Sequence, residues 1–175
     1  MDSRLPKLIF VLLVLYAAVH SSSVYPRLPG VVASHFNGRG APNGWQTKEA
    51  FLTVFAVVSV IAVLIGVGIP KILAAVPAQR INLPNKNYWL APERLRETMA
   101  FLNAYFAWFA RALFLFDILV FNYTIQRNLH PANPPDSARL WYMIGGFLLF
   151  TMVWAVRMLA KFFRSPDKGD KGSDG

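Results

Sequence analysis

Three groups of residues in this chain have side chains suited to chemistry. The first is a polar and aromatic run of His35, Phe36, Asn37, Arg39, Gly40, Trp45 and Lys48. It offers hydrogen-bonding groups beside aromatic faces, which suits a ligand- or peptide-contact surface. The second is His20, Asn103, Arg111 and Asp117, polar residues set among long apolar stretches. The third is Asn87, Tyr88, Trp89, Pro92, Glu93 and Arg94. None of these supplies a serine–histidine–acid arrangement, carboxylates at a useful spacing, a phosphate-cradling glycine loop or a metal-ligand cluster. A lone histidine with no second ligand nearby is a poor metal site. The expectation is therefore a protein that is not an enzyme and carries no metal or other cofactor.

The elements that must position these residues follow from composition. Of 175 residues, 55% are hydrophobic and 15% charged, which is not the balance of a soluble domain. Four membrane spans of about 20 residues each would use about 80 residues and leave the rest for loops and ends. The net charge of +9 falls at segment ends rather than on an aromatic-interleaved basic patch, so nucleic acid is not an expected partner. With no cysteine, disulfides, thiol redox chemistry and thiolate metal sites are excluded.

The expected architecture is an all-α integral membrane protein, one four-helix domain over residues 1–164. Its spans lie near 5–24, 51–76, 99–121 and 140–159, with an exterior motif loop at 25–48 and a disordered tail at 165–175. Two readings of the first segment stand: a retained span, or a signal peptide cleaved after Ser21. In the second, Gly66, Gly68 and Pro70 weaken or kink the helix end, and Ser59, Ala62 and Gly66 recur at a spacing that admits a close neighbour. Pro92, Glu93 and Glu97 mark a helix start, and the helix runs unbroken to about Asn122. The run from Leu129 to Asp136 is a loop by its prolines and asparagine.

Orientation follows from the basic residues. Arg27, Arg39, Lys48, Arg127 and Arg139 fall on one side, Arg111 within a span, and the other twelve on the opposite side. The positive-inside rule makes the richer side cytoplasmic, so both termini are expected inside and the 25–48 loop outside a multi-pass inner (plasma) membrane protein. The stripe Arg157, Lys161 and Arg164 reads as part of that signal.

Within the third span, a central Arg111 costs at least ~2.5 kcal/mol on insertion scales. Asp117 lies six residues on, about 9 Å along the axis and roughly 120° around it, so the two do not pair directly. His20 is the titratable group Asp117 is placed to meet. Arg111, Asp117, Asn103 and His20 are expected to face a polar interior, and two uses remain open: helix packing or oligomerisation, and a substrate or proton path. The exterior loop has two readings as well, a compact turn anchored by Phe36 and Trp45, or a ligand surface made by His35, Asn37, Arg39 and Trp45.

The pattern of Leu28-Pro29, Val32 and His35-Phe36-Asn37, then a glycine turn, Trp45 and Lys48, resembles the bacterial membrane domain of unknown function numbered 1648. The stretch from Asn87 to Arg94 is similar to one that recurs after the second helix in such proteins. Relatives in that family include the immunity protein for the sporulation-delaying peptide toxin. The resemblance implies a bacterial membrane protein that binds or senses a peptide or other ligand at its outer face. The alternative is an accessory subunit or small transporter that uses the polar residues of the third helix. The bilayer, a peptide ligand, a membrane-protein partner or further copies of the chain are the partners these readings call for.

Overall fold

The computed structural model describes residues 4–164, so the tail expected to be disordered lies outside the described residues. In chain order the chain forms α1 (Arg4–Val24), a short 3-10 turn, β1 (Val31–Phe36), β2 (Pro42–Thr47), α2 (Lys48–Val63), a π-helical turn at Leu64–Gly68 and α3 (Ile69–Ala75). A second 3-10 turn, α4 (Lys86–Trp89), α5 (Pro92–Leu129) and α6 (Ser137–Phe163) follow. Among the described residues, four stretches are long and apolar enough to cross a membrane: Leu8–Arg27, Lys48–Leu73, Pro92–Leu129 and Ser137–Phe163. Their number is that expected from sequence, and each overlaps an expected span with different bounds, the third helix running well beyond 99–121 at both ends.

The all-α expectation needs one correction, because β1 and β2 pair as an antiparallel hairpin where a compact loop was expected. The pairing runs from Val31 opposite Thr47 to Phe36 opposite Pro42, with irregularities on either side of His35. Between the strands, the side-chain Oδ1 of Asn37 accepts from the backbone N–H groups of Arg39 (2.9 Å) and Ala41 (3.0 Å). This asparagine replaces backbone partners that a five-residue turn would otherwise leave to solvent.

The chain divides into two compact units. The first comprises, among the described residues, 4–63 and 110–147: α1, the hairpin, α2 and the parts of α5 and α6 nearest the loop that joins them. Its core gathers Ala17, Val24, Val32, Phe55, Ala62, Phe114 and Ile125. Phe121 lies between Phe55 (3.7 Å between centroids) and Phe51 (5.1 Å), so ring stacking ties α2 to α5. Ala62 is wholly buried, in keeping with the small-residue spacing of α2.

The second unit comprises, among the described residues, 64–109 and 148–164. Here the rings of Tyr105 and Trp154 stack at 5.2 Å. Their polar tips bond reciprocally: the Tyr105 hydroxyl donates to the Trp154 carbonyl (3.1 Å) and the Trp154 indole N–H to the Tyr105 carbonyl (3.3 Å). The π-helical turn coincides with the glycines that the sequence marks as weak points.

Candidate functional site

The hairpin is held by residues about 90 positions away. The Asn128 side chain accepts from the Ala33 N–H (2.8 Å) and donates to the Ala33 carbonyl (2.9 Å), so one amide completes the backbone bonding of β1. Arg127 donates to the carbonyls of Gly40 and Pro135, the latter at 2.8 Å, and its guanidinium lies 5.3 Å from the Phe36 ring centre. The Trp141 indole N–H reaches the Gly38 carbonyl at 3.1 Å. The hairpin is thus fixed at its middle and at its tip.

This placement closes a cavity of about 200 Å³. Ser34, His35 and Gln46 line it from the hairpin, Asp117 and Thr124 from α5, and Phe51, Phe55 and Phe121 contribute aromatic wall. The Asp117 carboxylate accepts a hydrogen bond from the Ser59 hydroxyl at 2.8 Å. The hydroxyl oxygen of Ser34 is buried with no hydrogen-bond partner. A carboxylate, an imidazole, an amide and two hydroxyls around an apolar-walled space suit a ligand that brings a hydrogen-bond donor or a positive charge.

Ser59 faces a second, larger space. A groove of about 660 Å³ runs along α1 and α2, lined by small residues such as Ala17, Ala18, Ser21 and Ala56. Ser59 lines this groove and Asp117 the smaller cavity, so their hydrogen bond joins the linings of the two, which also share Phe55.

Of the residues singled out between 35 and 48, His35 lines the cavity and is itself exposed. Asn37 and Gly40 build the turn and its anchorage. Phe36 packs edge-on to Tyr123 at 6.2 Å. Arg39 and Trp45 are exposed, Trp45 at 60%. The Lys48 ammonium lies 4.3 Å above the Tyr25 ring, and the Tyr25 hydroxyl donates to Glu49 at 3.0 Å.

The intramembrane set is rearranged. Asp117 meets Ser59, and His20, expected as its partner, packs its ring on Tyr16 and edge-on to Phe121, with Nε2 buried and unbonded. An imidazole flanked by two aromatic rings is held by packing, which is why it does not turn to the carboxylate. Arg111 is half-buried in the same unit, whereas Asn103 belongs to the second unit, its Oδ1 buried and unbonded.

The third motif builds a helix cap. Asn85, at φ 50°, donates through its side chain to the carbonyls of Phe162 (3.0 Å) and Phe163 (3.2 Å), and the Trp89 indole N–H also reaches Phe162 (3.2 Å). These carbonyls end α6 and have no partner within it. Thr98 donates to the Trp89 carbonyl at 2.8 Å, and the Arg94 guanidinium stacks 3.8 Å over Tyr88. Pro92 opens α5, followed by Glu93, while Asn87 and Glu93 are exposed.

Sequence reading missed Ser34, Gln46, Thr124, Arg127 and Asn128 as a set. No local pattern marks them, because they are joined only when the hairpin meets α5. The comparison with known families bears on the same region. Residues 8–65 match the model of the domain of unknown function DUF1648. The DUF1648 segment comprises nearly all of α1, the hairpin and α2, and so carries Ser34, His35, Gln46 and Ser59, while Asp117 comes from outside it. The stretch from Asn87 to Arg94 also lies outside the matched residues. No curated protein and no solved structure matches the chain.

Proposed function

We propose that the chain is a non-enzymatic, multi-pass protein of a bacterial plasma membrane, with both termini cytoplasmic, that binds or senses a ligand at its outer face. The ligand site is the cavity beneath the hairpin. The observation that carries this reading is that His35 and Asp117, which belong to separate groups in the sequence, line one space with Ser34 and Gln46. The DUF1648 resemblance favours a peptide as the ligand, and the carboxylate favours a peptide amino group as the part that enters. The charge asymmetry of the loops supports the orientation.

The second reading, an accessory subunit or small transporter, is favoured by the Ser59–Asp117 bond, which joins the linings of cavity and groove. The two differ in what His35 does. Peptide binding to the purified full chain, screened by thermal shift with a panel of short peptides and repeated on His35→Ala and Asp117→Asn, separates them. Binding that both substitutions weaken supports the first reading. A panel without a binder, together with Asp117-dependent and His35-independent solute uptake into vesicles, supports the second and overturns the first.

A further inference from the structure

The second unit contains a site of opposite chemistry. A cleft of about 610 Å³ has Asn82, Asn85, Lys86, Asn87, Tyr88 and Arg94 in its lining, and no carboxylate is among its lining residues. The Lys86 ammonium, the Arg94 guanidinium and the amides of Asn82 and Asn87 put donors around one space without an anionic counterpart, the arrangement a phosphate requires, while the third amide, Asn85, is spent on carbonyls of α6. Arg94 is oriented in advance, because stacking on Tyr88 at 3.8 Å fixes the plane of its guanidinium while leaving the edge of the fork for hydrogen bonds.

We propose that this cleft binds the phosphate of an anionic phospholipid headgroup. Two observations favour a lipid over a free phosphate. Asn85, in the lining itself, caps the last carbonyls of α6, which sets the cleft at the level where a membrane-crossing helix ends and headgroups lie. An adjoining cavity of about 330 Å³ shares Lys86 and Asn87 but adds Ala78 and Leu90, an apolar continuation for the glycerol and acyl part of the same molecule. The inference rests on the membrane-spanning reading and is independent of any ligand beneath the hairpin.

The test uses the full chain purified in detergent and titrated with phosphatidylglycerol or phosphatidylcholine, with bound lipid counted by native mass spectrometry. The expected result is a preference for phosphatidylglycerol that falls about fivefold for Lys86→Gln and again by about that factor when Arg94→Gln is added. Arg157→Gln with Arg164→Gln removes the same charge near the same helix end and is expected to change the preference less than about twofold. Lys86 is exposed, so its single substitution keeps the test intact where loss of the Arg94 stack impairs folding. Equal losses in the two double variants, or none in Lys86→Gln, would overturn the site. Inorganic phosphate that protects the lipid-free protein from thermal unfolding as well as phosphatidylglycerol does would overturn the lipid as its occupant. A chain that remains soluble and folded without detergent would refute the membrane reading itself.

Discussion

Gly40 is held by two constraints at once. Its φ of +77° lies in the left-handed region, and a Cβ placed on it would sit 2.4 Å from the Cβ of Ser137. Gly40→Ala must therefore both strain the turn and push the hairpin tip from the start of α6. A loss of about 1–3 kcal/mol is expected, read as a lowered thermal midpoint in detergent. Asn128→Ala is the complementary case, since it leaves the turn intact and removes both bonds to Ala33. A loss of about 1–3 kcal/mol is expected from an orphaned strand amide and carbonyl, with Asn128→Gln recovering little because its longer side chain cannot meet both groups. The sequence shows why Gly40 is a glycine turn residue but gives no sign of Asn128. An asparagine near a helix end has many uses, and only the fold selects one.

At the scale of elements, the helices were legible because their causes are local. Pro92 and Glu93 open α5 where sequence reading places the start, and the apolar run carries the helix through to Leu129, seven residues past the expected end. The last turn also carries Arg127 and Asn128, and both have partners in the hairpin, Arg127 at the Gly40 carbonyl and Asn128 at Ala33. The hairpin was not legible for the reverse reason. Val31 to Phe36 has little alternation, and Asn37 to Gly44 reads as loop by its glycines and proline, so its strands depend on distant anchors. The cap at the end of α6 gives a test at this scale. Asn85→Gly keeps the positive φ and loses the cap, whereas Asn85→Ala loses both, so Ala is expected to be the more destabilising of the two by about 1 kcal/mol in thermal unfolding.

For the whole molecule, the absence of native cysteine makes topology directly measurable. Single cysteines at Asn43 and Asn87, both exposed, are expected to react from outside the cell only at Asn43. Labelling of Asn87 from outside would invert the orientation and with it the outer-face binding reading. The alternative of a cleaved first segment is also testable, because α1 supplies Phe10, Leu13 and Ala17 to the core of the first unit and Phe10 packs edge-on to Phe114 at 5.6 Å. The intact mass of the membrane-extracted protein is expected to include residues before Ser21. The four long apolar helices could be read from composition alone, since they depend on sums over many residues. The cavity could not, since it depends on Asp117, Ser34 and Gln46 arriving from three different segments.

A two-stranded sheet has two open borders, and an open border is where a foreign strand can attach. On β1 that border is occupied at Ala33 by the Asn128 amide, which copies the donor and acceptor of a neighbouring peptide group. On β2 the first residue is Pro42, which has no N–H to offer a newcomer. Each border of the hairpin therefore carries one position at which an added strand would lose its backbone bonds, and that disfavours neighbouring copies of the chain zipping together through it.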